Sequence, residues 1–259
     1  MGIIYFLLAI TATTVGAITG ISGGVIMRPA IDLLGGLDAV SGSIMASIAV
    51  FCMTVISIGK RVQQKAPVNC KISIPLAAGA VLGGKLGQLF LSAIVARVDN
   101  NTVTITQNAV LAVVISGVFI YMLNKSKIAS LGLKGFAPAA ITGVFLGMQA
   151  AFLGIGGGPI NVAVIIFLFG LDTKAAATCS LITILAAQSS NLLSVYLLGG
   201  FAPFDLTMLP WMVVGAVSGG FLGASVSKRV SEKKVDIMFD TVLVVVFCIC
   251  ITNIIRAFV

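Results

Sequence analysis

Two glycine runs, Gly20-Ile21-Ser22-Gly23-Gly24 and Gly154-Ile155-Gly156-Gly157-Gly158, interrupt long apolar stretches of the chain. Glycine costs a continuous helix about 1 kcal/mol per residue relative to alanine, so each run predicts a break followed by a fresh helix start. Backbone N–H groups at such a start, with the helix dipole behind them, favour an anion. Two starts that converge near the middle of a membrane form one anion site, and the candidate contacts are Ser22, Gly23, Gly24, Gly156, Gly157 and Gly158. Close helix packing is the other use of the same glycines.

Charged and polar side chains near these breaks extend the candidate site. Lys85 falls near the centre of an apolar helix, where translocon scales put the cost of a lysine at roughly 2.5–3.5 kcal/mol. It shares a face with Gln88 and Ser92, roughly opposite the stripe Gly79, Gly83, Gly87, which suits close helix contact. Snorkelling, or pairing with a carboxylate such as Asp32, is the alternative for Lys85. Arg28 and Asp32 stand one turn apart, spaced either for substrate or for a local ion pair. Asp32 is also the candidate coupling carboxylate, because few other acids lie near the pathway.

Farther along, Ser180, Thr183, Ser190, Asn191 and Ser194 line one face of a helix with Gln188 beside them. They either bind a polar substrate or hydrogen-bond neighbouring helices. Trp211 reads as an interfacial anchor. There is no histidine, and the five cysteines mostly sit inside apolar segments, so no metal site, cofactor or disulfide framework is expected. Lacking a Gly-x-Ser-x-Gly elbow or a metal motif, the chain carries no catalytic candidate and is not expected to be an enzyme.

Only 9% of the 259 residues are charged and 59% are hydrophobic, against about 25% charged in a soluble domain. Apolar runs reach the roughly 17–25 residues of a bilayer span. The net charge of +8 comes from short basic clusters at the ends of apolar segments, which is topological information and not a nucleic-acid footprint. The start MGIIYFLLAI lacks a basic leader region and reads as the first retained helix.

The chain also resembles itself. At an offset of 134 the two glycine runs align, as do Gly36-Leu37-Asp38 and Gly170-Leu171-Asp172. At 136, the segment 79–87 aligns with 215–223, identical at seven of nine positions. Each half reads as five helical segments, at about 3–20, 24–36, 38–58, 72–95 and 104–123, then 136–153, 158–170, 173–198, 206–227 and 236–257. The expected domains are a first repeat over 1–123, a cytoplasmic linker over 124–135 and a second, inverted repeat over 136–259.

Charge sets the orientation. The loop 59–71 carries Lys60, Arg61, Lys65 and Lys71, whereas its repeat equivalent around 199–205 has no basic residue; 228–234 is basic and its equivalent 96–103 is not. Equivalent loops are therefore expected on opposite sides, with the linker cytoplasmic and both termini outside. The fold expected is an all-α polytopic membrane protein of two inverted repeats, a common transporter plan.

Gly20-Ile21-Ser22-Gly23-Gly24 continuing to Arg28 and Pro29, the second glycine run, and Ala175–Leu181 after Gly170-Leu171-Asp172 resemble the TauE/SafE family of sulfite exporters, also called the 4-toluene sulfonate uptake permeases. The likeness extends over nearly the whole chain. Ser22 departs from the glycine-rich pattern, and Ala163 stands at the repeat position of Pro29. The resemblance implies a secondary carrier for sulfite, sulfonate, sulfoacetate or a related anion in the bacterial inner membrane. Its expected partners are the small anion, the lipid bilayer, a coupling proton or sodium ion, and a second copy in a homodimer, with no nucleic acid. An anion-selective channel and a non-transporting scaffold are the alternatives.

Overall fold

The computed structural model describes residues 1–35, 37–65, 68–155 and 157–258. Among these the chain forms ten α-helices and no strand: α1 Gly2–Thr19, α2 Gly24–Leu34, α3 Ala39–Gln63, α4 Cys70–Val95, α5 Asn100–Asn124, α6 Phe136–Phe152, α7 Pro159–Phe169, α8 Thr173–Leu198, α9 Leu209–Ser227 and α10 Glu232–Phe258. Seven of them, α1, α3, α4, α5, α8, α9 and α10, are long and apolar enough to cross a membrane. This is the all-helical, multi-pass architecture that composition and periodicity demand.

Local chemistry sets the helix ends. Asp38 caps α3 by accepting from the N–H groups of Val40 and Ser41 at 3.1 and 2.9 Å, and Asp172 caps α8 by accepting from Ala175 at 2.8 Å. Three helices start or end at least four residues beyond the expected positions. α3 runs on from 58 to Gln63, because Gly59 sits in open space and Lys60 and Arg61 suit a C-terminal turn. α5 starts at Asn100, where Asp99 caps it through Thr102 N–H at 3.0 Å. α10 starts at Glu232, an acid in its first turn.

α2 and α7 have 11 residues each, which at a rise of about 1.5 Å per residue gives roughly half of a ~30 Å bilayer core. They return towards the end from which the preceding helix entered. The N–H groups of Leu131 and Leu133, just before α6, reach the carbonyls of Phe167 and Leu168 at the end of α7, at 2.8 and 2.7 Å. Each glycine break thus joins a longer helix to a short re-entrant one.

The longer helices interlock by backbone approach. Gly79, Gly83 and Gly87 of α4 face the carbonyls of Ala140, Val144 and Met148 in α6, one per turn, so closely that a Cβ would overlap them. Gly215, Gly219 and Gly223 of α9 meet Phe6, Ile10 and Thr14 of α1 in the same manner. Both pairs run parallel, and small-residue contact of this kind is what holds helices together where lipid removes the hydrophobic drive.

Basic groups gather at one end of the bundle. Lys65, Lys174 and Lys228 line one pocket there with Arg61, and Lys125 pairs with Asp236 at 2.7 Å. The opposite end holds Arg256, whose Nη1 donates to the Leu33 carbonyl at 2.8 Å, and Asp205, whose N–H donates to Ser41 Oγ at 3.0 Å.

Candidate substrate site

The two glycine turns meet in the interior. Gly20 and Gly154 end or follow their helices with φ of 78° and 62°, a left-handed conformation open to glycine. A Cβ on Gly20 would strike Ala177 of α8, and one on Gly154 would strike Ser43 of α3. Beyond these points the chains cross: the Ser22 hydroxyl lies against the carbonyl oxygens of Ile155 and Gly157. Gly24 abuts Ile155, and Gly158 abuts Val25. The starts of α2 and α7 therefore abut, as the reading of the glycine runs requires. Gly156 lies outside the described residues.

α3 and α8 pass antiparallel across this junction, and each carries a row of buried polar residues. Ser43, Ser47, Thr54, Ser57 and Arg61 recur on one face of α3 at spacings of 4, 7, 3 and 4, and all are buried. From α8 come Thr178, Ser180, Thr183, Gln188 and Asn191, also buried. Ser180 Oγ donates to the Gly20 carbonyl at 2.8 Å, and Thr183 Oγ1 turns back to the Cys179 carbonyl at 2.9 Å. Asn191 Nδ2 donates to Gln188 Oε1 at 3.3 Å and lies 3.5 Å from Ser47 Oγ. This leaves Gln188 Nε2 and Asn191 Oδ1 buried with no partner among the described residues. Unpaired amide atoms of this kind are costly unless a ligand or water completes them.

Arg28 and Asp32 form a second polar cluster beside the junction. Both are almost fully buried and ion-paired. Arg28 Nε also donates to Ser43 Oγ at 2.8 Å and Nη2 to Gln107 Oε1 at 3.4 Å, while Asn108 Nδ2 donates to Asp32 Oδ2 at 3.2 Å. Asn253 donates to Asn108 Oδ1 at 3.2 Å and to the Pro29 carbonyl at 2.9 Å. An open pocket of about 380 Å³, bounded by Thr104, Asn253 and Arg256, reaches Asp32 from the end of the bundle. A cleft of only about 10 Å³ takes in Asp32, Arg28 and Gln107 and ends at Leu153 and Ile155. That is room for about one water, so the cleft closes at the glycine junction.

Of the other expected contacts, Gln88 is buried but Lys85 is exposed, between the exposed Leu82, Leu86 and Leu89. The structure does not bring Lys85 to the glycine turns, because the glycine face of α4 is taken by α6 and Lys85 faces outward. Nor does Lys85 pair with Asp32, whose partner is Arg28. The residues that sequence reasoning misses are Gln107 and Asn108, neighbouring amides in α5, and Asn253, an amide in the apolar α10. It also misses the α3 stripe, whose spacing is readable.

Residues 5–249 match the family described as Sulfite exporter TauE/SafE. Among curated proteins the chain is similar to a "Probable membrane transporter protein YunE" of Bacillus subtilis (strain 168), 20% identical over 266 residues, covering 95% of this chain and 96% of that one. No solved structure shows a significant match.

Proposed function

Because the chain belongs to the sulfite exporter TauE/SafE family, a family of membrane transporters, we propose that it is a secondary carrier of a small sulfur-containing anion working by alternating access. The observation that carries the reading is the meeting of the two glycine turns, where α2 and α7 start against one another beside the α3–α8 seam. Helix N-termini from both halves then aim at one point. Ser22, the glycines around it, Ser180, Gln188 and Asn191 would line the path taken by sulfite, a sulfonate or sulfoacetate. The polar seam gives the anion a route through otherwise apolar helices, and the closed cleft at Ile155 matches a carrier resting in one of its states.

Exchange of equivalent helices between the halves supports the inverted-repeat plan. α4 pairs with α6 as α9 pairs with α1, and the offset that aligns the halves converts one pair into the other. With the basic end cytoplasmic, both termini lie outside.

Flux measurements in liposomes containing the purified protein test this reading. Saturable, counterflow-capable movement of sulfite, sulfoacetate or a sulfonate, not competed by carboxylate controls, is the expected result. Flux that rises without saturation indicates a channel, and absence of any flux with any of these anions overturns the carrier assignment.

A further inference from the structure

Two arginines are buried inside this bundle, and their surroundings differ. Arg28 is neutralised by Asp32. Arg61, 6% exposed, has no carboxylate partner among the described residues. Its Nη1 donates to Thr178 Oγ1 at 2.8 Å and its Nη2 to the Ala17 carbonyl at 2.7 Å, but its buried Nε–H has no partner among the described residues. A buried cation left with a free donor and no counter-charge is a costly arrangement.

Arg61 lines a pocket of about 340 Å³ at the basic end of the bundle. Lys65, Lys174 and Lys228 surround it, so four basic groups face two acids, Asp172 and Glu232. From this pocket the guanidinium leads inward to the first glycine turn. It grips Ala17 three residues before Gly20 and Thr178 next to Ala177, the residue packed on Gly20.

We infer that this pocket is an anion-binding vestibule, with Arg61 as its ligand-contacting cation and a small oxyanion carrying at least two free oxygens as its occupant. Arg61 borders the pocket, and its Nε–H, buried just behind the wall, forms with an Nη–H the guanidinium edge that would hold two oxygens of an oxyanion drawn in from the pocket, the geometry in which arginine outperforms lysine. The lysines at the mouth raise the local anion concentration. The vestibule rests on the carrier reading in one respect, that the ligand is a small sulfur oxyanion. Its position places it on the basic side of the glycine junction, as a first stop for an anion leaving or entering on that side.

The test is thermal unfolding of the full-length protein in detergent, titrated with sodium sulfite or sodium sulfate against sodium chloride at equal ionic strength. The wild type should gain stability and saturate. Arg61→Gln should raise the half-saturating concentration at least about tenfold, and Arg61→Lys should recover only part of the loss. Lys228→Gln, at an exposed mouth position, should weaken the response several-fold without altering the unfolding temperature in chloride, which keeps the test informative if Arg61→Gln does not fold.

An unchanged half-saturation in both Arg61→Gln and Lys228→Gln would overturn the vestibule while leaving a carrier that still moves sulfite intact. A wild type that neither responds to nor carries any sulfur oxyanion would remove the carrier reading as well. A parallel titration with phosphatidylglycerol separates a lipid headgroup from a free anion: stabilisation by the lipid alone, with none by sulfite or sulfate, would overturn the free-anion assignment.

Discussion

Asn253 of α10 donates its Nδ2 to the Pro29 carbonyl of α2 at 2.9 Å, tying the last helix to a short helix that does not cross the membrane. The same amide reaches Asn108 Oδ1, and through it the Asp32–Arg28 pair. Three helices thus share one polar knot, with α2 at its centre. A re-entrant helix needs such ties, because its own length is too short to anchor both ends at the membrane surfaces.

The Arg28–Asp32 pair should behave as a unit. Arg28→Gln or Asp32→Asn alone strands a buried charge and should cost about 3–5 kcal/mol, read as a fall in unfolding temperature in detergent. The double variant should recover much of that loss. If Asp32 couples transport to a proton or sodium ion, Asp32→Asn should keep sulfite counterflow and lose accumulation driven by the ion gradient. Intact driven accumulation would remove it from coupling.

Lys85 is expected to be dispensable. Lys85→Ala should insert normally and carry sulfite at the wild-type rate in liposomes, because its side chain lies on the exposed face of α4. Loss of flux in that variant would return Lys85 to the pathway.

Gln188, in contrast, leaves an amide nitrogen unpaired in the interior. Gln188→Met removes an unpaired donor but also the Oε1 that accepts from Asn191 Nδ2, so the two effects offset and stability should stay within about 1 kcal/mol of the wild type. Its sulfite flux should nonetheless fall about tenfold, the loss that one hydrogen bond to a charged ligand accounts for. Unchanged flux would make the seam a packing feature.

Helical glycines should divide into two classes by their neighbours. Gly83→Val drives a side chain into the Val144 carbonyl and should destabilise by about 1–3 kcal/mol or prevent accumulation. At Gly117 an added methyl would meet nothing within 4 Å, so Gly117→Ala should stabilise by up to about 1 kcal/mol. Unfolding temperatures of the two variants check both.

The Asp38 cap gives a pH signature outside the membrane. Partial burial pushes its carboxyl up, but hydrogen bonds from the Ser41 hydroxyl and the N–H groups of Ser41 and Val40 outweigh that and hold it below the ordinary value of 3.8. A lowered folded-state value means that the cap contributes fully above the unfolded-state pKa and is lost as pH falls through the folded one. Asp38→Ala should therefore cost about 1 kcal/mol at neutral pH and less at strongly acidic pH, by unfolding temperature.

Helix count, the glycine breaks and the small-residue stripes are legible because each follows from a period or an interruption along one stretch of chain. Gly79, Gly83 and Gly87 announce a close contact at any distance. The partner of that contact, α6, is not written in α4. Lys85 misleads for the same reason: a central charge in an apolar helix signals a need for water or a counter-charge, but not which side of the helix a neighbour will cover. Arg61 reads as a loop charge marking the cytoplasmic side as long as its helix is expected to stop at 58. Only with α3 continued to Gln63 does the guanidinium turn inward onto Ala17 and Thr178. Asn108 and Asn253 carry no periodic signal, and their meaning exists only where α5 and α10 pack together.

The crossed pairing of α1 with α9 has a consequence during synthesis. α1 is made before α9, and the glycine ridge against which it packs lies some two hundred residues later in the chain, so the ridge reaches the membrane long after α1. Until then the small-residue face of α1 must be sheltered by lipid or by the insertion machinery. A ribosome that stalls between α7 and α9 would leave a product in which α4 has already found α6 but α1 has not found α9, a half-locked chain that quality-control proteases would meet before any complete protein.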